Sequence, residues 1–169
     1  MEKIMHPEGL LVLYTYNAYA NQLLFDTVEK LSETEYTQQS SPSHGSVKNL
    51  IEHMLACEAS FLMRCQGKTP DFASLDVSTL DSLKRYWREL EREQAGFIGA
   101  LTEGDCARDI KLLIREQTLV LPVWQLLTQA VIHSIHHRGE LSIVLTGLGH
   151  PLPTLDIILQ FVKESGQKW

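Results

Sequence analysis

One apolar segment, residues 122–148, constrains this chain more than any other, because it reads as a single long helix carrying two histidines on its apolar face. Pro122 suits the first turn of such a helix, Gly147 and Gly149 end it, and Pro151 and Pro153 keep it from continuing. Within it stands Ala130-Val131-Ile132-His133-Ser134-Ile135-His136-His137-Arg138-Gly139-Glu140. At about 100° per residue, His133 and His137 lie about 40° apart and in line with Leu126, Ala130, Val144 and Leu148, so both imidazoles point where the helix is apolar. Two neutral imidazoles one turn apart can ligate one divalent ion side by side, and such a site needs a third ligand. The alternative is a pair of half-buried histidines satisfied by hydrogen bonds.

The third imidazole is expected from another helix. Ser46 is a good N-cap for a helix over 47–66, which Gly67 and Pro70 stop, and its inner face carries Leu50, His53, Met54, Cys57 and Phe61. A lone His on an apolar stripe is usually a satisfied core residue; an inward His-x-x-x-His on a second helix changes the weighting. Burial disfavours the charged imidazole, and one metal ion satisfies several ring nitrogens at once. Cys57, one turn after His53, is a candidate fourth ligand, its alternative being a small buried hydrophobe.

The other segments supply a bundle. A first helix is expected over 7–31, with Leu10, Tyr14, Asn17, Asn21, Leu24, Val28 and Leu31 on one face, the two asparagines bonding a neighbouring chain segment rather than lining a polar cavity. Residues 32–45 form a connection long enough to cross one end of the bundle. Ser78-Thr79-Leu80-Asp81 has the form of a capping box and opens a third helix to about 101, with Leu80, Leu83, Trp87, Leu90, Phe97, Ile98 and Leu101 inward and the charges of 84–93 outward. Residues 104–121 contain two β-prone runs, expected as a short hairpin or a covering loop. Thr154 can cap a last short helix over 155–164, whose Leu155, Ile158, Leu159 and Val162 would close one end. The expected fold is therefore all-α, a four-helix bundle with long crossover connections after the first and third helices plus a short C-terminal helix, one domain over 1–169. Three protein ligands, His53, His133 and His137, leave open positions for water or substrate, the mark of a reactive metal.

Composition narrows the function classes. With 169 residues and 44% hydrophobic content the chain can bury one core. No run approaches the length of a membrane span, and Met1-Glu2-Lys3-Ile4-Met5-His6-Pro7 lacks the layout of a secretory signal, so a cytoplasmic protein is expected. Cys57, Cys65 and Cys106 have no Cys-x-x-Cys spacing and fit reduced thiols. A formal net charge of -6 argues against direct nucleic-acid binding.

Several separated pieces resemble the DinB-like metal-binding proteins, a family that takes in YfiT-like members. They are Tyr19-Ala20-Asn21, His53, the stretch His133 to Glu140, and Leu145-Thr146-Gly147-Leu148-Gly149 followed by Pro153 to Phe161. His133-Ser134-Ile135-His136-His137-Arg138-Gly139-Glu140 is similar to that family's His-x-x-His-His-Arg-Gly-Gln signature, with Glu140 where Gln is commoner. The resemblance implies a four-helix bundle with up-up-down-down threading, frequent homodimerisation, and a divalent metal on His53, His133 and His137. Activities in the wider family are transfers or isomerisations that use a small thiol, while many members are linked only to DNA-damage-induced expression. His136 is expected in a supporting or surface position, and Arg138 near the helix's outer side in a salt link or dimer contact, with an active-site role as its alternative.

The expected function is a metal-dependent enzyme, a thiol-dependent S-transferase acting on a small-molecule electrophile. Its cofactors would be a divalent ion (Zn, Ni, Fe or Mn) and a low-molecular-weight thiol. Glu140, about one turn beyond His137, is the candidate catalytic side chain, orienting a ligand imidazole or accepting a proton, with a helix salt bridge as its alternative. The rival reading is a non-catalytic metal-binding stress-response protein, and a third is a metal-free bundle with the histidines as core polar groups.

Overall fold

The long helices begin where the sequence supplies a start. Pro7 opens α1 (Pro7–Val28), and the Ser46 hydroxyl accepts from the Asn49 amide to open α3 (Val47–Cys65). Thr79 opens α4 (Leu80–Gly99) in a reciprocal box closed by Ser82, one residue later than the expected Ser78-to-Asp81 box, because the Ser82 hydroxyl is the group that returns to the Thr79 amide. α6 (Val123–Gly147) starts directly after Pro122. The computed structural model describes residues 5–72, 77–114 and 116–168 and is mostly helical. Two single-turn helices, α2 (Glu33–Thr37) and α5 (Glu103–Ala107), and a short α7 (Ile157–Glu164) complete the helices among the described residues.

α1 packs against α4 and α6, and α3 packs against the same two helices, so the four long helices surround a common core. Their directions follow from paired residues. The Tyr14 hydroxyl donates to the Leu127 carbonyl, and Asn17 and Asn21 accept from Arg138, so α1 and α6 run the same way. Ser41 and Ser43, just before α3, bond Glu140, while Glu58 further along accepts from Ser134, so α3 and α6 are antiparallel. Lys84 pairs with Glu29 and Asn21 with Glu91, so α4 runs against α1. The threading is up, down, down, up. It departs from the up-up-down-down order implied by the family resemblance because the asparagines of the first long helix meet the arginine of the last.

The expected stripe of α1 is buried as read, from Leu10 to Val28. Two apolar clusters lie along the bundle. One holds Leu24, Leu50, Met54, Trp87 and Leu141, the other Leu10, Tyr14, Cys65, Ile98 and Leu126. Between them lies a polar layer of Asn17, Asn21, Glu58, Gln94, Ser134 and Arg138, all buried.

The run before α6 is a hairpin rather than a covering loop. β1 (Asp109–Ile114) pairs antiparallel with β2 (Gln117–Pro122) from Asp109 opposite Pro122 to Ile114 opposite Gln117. Ile110 and Leu112 point to the core and Leu113 to solvent, the alternation a strand imposes. α7 begins after Asp156, with no side-chain cap, later than a Thr154 cap would give. Its expected closing face is only partly covered, since Ile158 is exposed and Leu155, Leu159 and Val162 are half-buried. Among the described residues no helix is long and apolar enough to cross a membrane.

Candidate metal centre

The antiparallel seam of α3 and α6 brings together the three histidines that helical periodicity singles out. His53 Nε2 lies 3.2 Å from His133 Nε2, and His137 Nε2 lies 3.1 Å from the same atom. One ligand atom from each ring lies within 4.8 Å of the others. Three nitrogens bound about 2.0 Å from one tetrahedral ion would be separated by roughly 3.3 Å, so the spacing fits a shared cation. It fits neutral rings on their own less well, because His133 Nε2 faces two other nitrogens and one ring proton cannot serve both. The Nδ1 atoms of His133 and His137 are buried and without a hydrogen-bond partner among the described residues.

The electrostatics favour free lone pairs. Burial, then the neighbouring His44 and His137, lower the His53 pKa to about 4. Burial, then His133, His44 and His136, take His137 to about 4 against a small opposing pull from Glu140. His133 is lowered chiefly by burial and by His53. All three rings are thus neutral near pH 7, the form that ligates a metal. His137 is buried while His53 and His133 are half-buried, which puts the cluster at the flank of the seam rather than deep in the core.

A model of the DinB family matches residues 5–166. The chain belongs to the DinB family. Protein DinB of Bacillus subtilis (strain 168) is 25% identical over 154 residues, spanning 82% of this chain and 85% of that protein. The crystal structure of a DinB-like protein from Bacillus subtilis superposes with a TM-score of 0.65 at 22% identity, covering 85% of this chain and 97% of that one. Another, from Bacillus cereus, gives a TM-score of 0.62 at 18% identity, covering 87% and 95%. At those identities the two structures speak for the fold.

In this DinB-family chain the other site residues divide sharply. Cys57 Sγ sits 3.6 Å from His53 Nε2, half-buried, with its thiol pKa raised by burial and then by Glu58. Glu140 is bound to the connection before α3, accepting from Ser41 Oγ at 2.6 Å, Ser43 Oγ at 2.6 Å and the Ser43 amide at 3.1 Å, with His137 Nδ1 3.9 Å away. Burial works to raise its carboxyl, but the hydrogen bonds from the serines and then the charge of His137 outweigh it and hold the pKa at about 2. His136 is exposed, as a surface position requires.

Arg138 is not on the outer side of its helix. It is 1% exposed, and its Nη1 donates to Asn17 and Asn21, each at 2.7 Å. A helix that touches both α1 and α3 leaves only a narrow strip to solvent, and Arg138 faces α1. The two asparagines do bond a neighbouring segment, and Asn17 also donates to Glu58 at 2.8 Å.

Two residues escaped the sequence reading. Glu58 is fully buried on the α3 stripe, accepting from Asn17, Ser134 and Gln94. A carboxylate at a stripe position between Leu55 and Leu62 was its visible signal. His44 stacks on His53 with ring centroids 4.0 Å apart and meets His137 edge-on at 5.2 Å. Standing in an aperiodic connection, it left no positional signal.

Proposed function

We propose that this DinB-family protein is a metal-dependent enzyme, a thiol-dependent S-transferase acting on small electrophiles, with a divalent ion held by His53, His133 and His137. The observation that carries the reading is the convergence of three neutral imidazole nitrogens at 3.1 and 3.2 Å from two helices. Such an ion, bound by neutral ligands alone, keeps its full charge and favours a thiolate or hydroxide in its open position. Zn, Ni, Fe and Mn all suit imidazole and water donors.

The chain's own residues supply position and access. α3 delivers His53 and α6 delivers His133 and His137, and the half-buried state of His53 and His133 supports access by a small molecule. Glu140 acts by orienting, anchoring residues 41–43 beside His137; a carboxyl held at about 2 is a weak proton acceptor near pH 7. The three cysteines are free thiols, which supports a reducing, cytoplasmic setting. A homodimer through α6 is supported by Ile132, Ile135 and Ile143, exposed on one strip with Gly139 between them.

A non-catalytic reading, in which the ion only locks the α3–α6 seam of a stress-response protein, is supported by the ligands' arrival from two packed helices. The test is metal content of untagged protein beside the His133→Ala variant. Metal in the first and its loss in the second is expected, and equal content in both removes the premise of either reading. Turnover of a thiol with a chlorinated aromatic electrophile, abolished by chelator, selects the enzyme.

A further inference from the structure

The connection before α3 is built to hold one side chain in one pose. Ser41 and Gly45 bridge through their backbones, and Gly45 adopts a φ of +86°, where a side chain would be strained and its Cβ would lie 3.1 Å from the Gln39 amide nitrogen. The Ser41 hydroxyl accepts from the His44 amide at 3.2 Å while donating to Glu140, so the turn is fixed to α6 on both sides of residue 42. The outcome is that the His44 ring lies over His53 and against the edge of His137.

The hydrogen-bond chain also fixes where the His44 proton sits. Ser43 has one hydroxyl proton, and it goes to the Glu140 carboxylate at 2.6 Å. The 2.7 Å contact between Ser43 Oγ and His44 Nδ1 therefore needs its proton from the ring, so Nδ1 carries the hydrogen. In the neutral imidazole Nε2 then holds the lone pair, and among the described residues no donor is bonded to it. This ordered series, from Glu140 through Ser43 to His44, resembles in logic the way a buried carboxylate sets the tautomer of a working histidine.

We propose that His44 is the ligand-facing residue beside the cluster of His53, His133 and His137, held in the Nδ1–H tautomer by Ser43 and Glu140 so that Nε2 accepts a hydrogen bond from a small protonated donor, a thiol or water, seated there. The seating of the donor rests on the metal reading above; the tautomer does not. His44 thereby selects ligands that bring an S–H or O–H over anions that have no proton to give, and residues 41–45 become part of the substrate site rather than a mere crossing.

Two measurements decide it. In apo protein labelled with nitrogen-15, ring correlations are expected to show His44 protonated at Nδ1, with that preference lost in Ser43→Ala; protonation at Nε2 in the unaltered chain overturns the proposal. In cobalt-loaded protein, binding of 2-mercaptoethanol as the neutral thiol is titrated by calorimetry at a pH where no thiolate-to-cobalt absorption develops. His44→Phe, which keeps a stacking ring, is expected to weaken thiol binding about tenfold while azide affinity stays within about twofold and cobalt content is unchanged. Equal thiol affinity in both chains overturns the acceptor role, and loss of cobalt from His44→Phe overturns it in favour of metal ligation. Failure of the unaltered protein to bind cobalt sinks the metal reading and the acceptor role together, and the tautomer result shows whether the hydrogen-bond chain survives without it.

Discussion

His53 and His133, 80 residues apart in the chain, face each other Nε2 to Nε2 at 3.2 Å across the seam of α3 and α6. Each nitrogen belongs to a different helix, so the cluster exists only while the two are docked, and an ion bound there stabilises the docked state by linkage. Zinc or nickel at a free concentration one hundred times its Kd is expected to add about 2.7 kcal/mol, or roughly 5–11 °C in Tm for a chain of this size. Calorimetric scans with and without ion check this, and the rise should vanish in His133→Ala.

Acid should loosen the apo protein in a defined window. His53 and His137 titrate near 4 in the fold, against about 6.5 in an unfolded chain, and His133 is lowered as well. Between those values the unfolded chain binds more protons, so stability is complete above about pH 6.5 and falls as pH drops towards about 4. The Glu140 carboxyl, held at about 2, adds a separate loss that begins below about pH 4.3. Denaturant midpoints measured from about pH 7 down to about pH 5 should decline; a flat profile would mean the imidazoles are not neutralised by the fold.

Arg138 is the side chain whose loss should harm the bundle most. It is buried, its Nη1 bridges Asn17 and Asn21, and its Nε and Nη2 have no hydrogen-bond partner among the described residues. Removing a buried charge from a bonded set typically costs about 3–5 kcal/mol, and Arg138→Ala is expected in that range by urea unfolding. Glu91 reports on the same layer. Burial raises its pKa to about 7, with Glu58 adding to the rise and Asn21, Arg88 and Arg138 opposing it, so the variant should titrate it higher still.

The exposed strip of α6 makes the assembly testable without touching the core. Ile143 is 77% exposed, and if the chain pairs through α6 as proposed, Ile143→Lys should run as a monomer in light scattering where the unaltered chain runs as a dimer, with subunit stability changed by no more than about 0.5 kcal/mol. An unchanged mass would overturn pairing through this strip of α6.

The three clustered histidines were legible because helical periodicity fixes the angle of each side chain, and angle is nearly all that the ligand positions needed. The same arithmetic misplaced Arg138: it treats a helix as having one covered face, whereas α6 touches both α1 and α3. Periodicity carries no sign for direction, so nothing along the chain told that α1 and α6 lie parallel; that is set by the Asn17, Asn21 and Arg138 contacts. His44 was illegible for the opposite reason. Its place depends on a turn closed by Gly45 and a carboxylate nearly a hundred residues away in the chain, a relation no local pattern records.

The parallel pairing of α1 and α6 also sets a schedule for biosynthesis. A ribosome delivers Asn17 and Asn21 early and Arg138 late. Until α6 emerges, Asn17, Asn21 and Glu58 lack the partners it supplies, and the faces of α1 and α3 that it covers stay open. Docking of α6 is therefore a late step of synthesis, and the faces it has yet to cover are the stretch on which a holding chaperone would act.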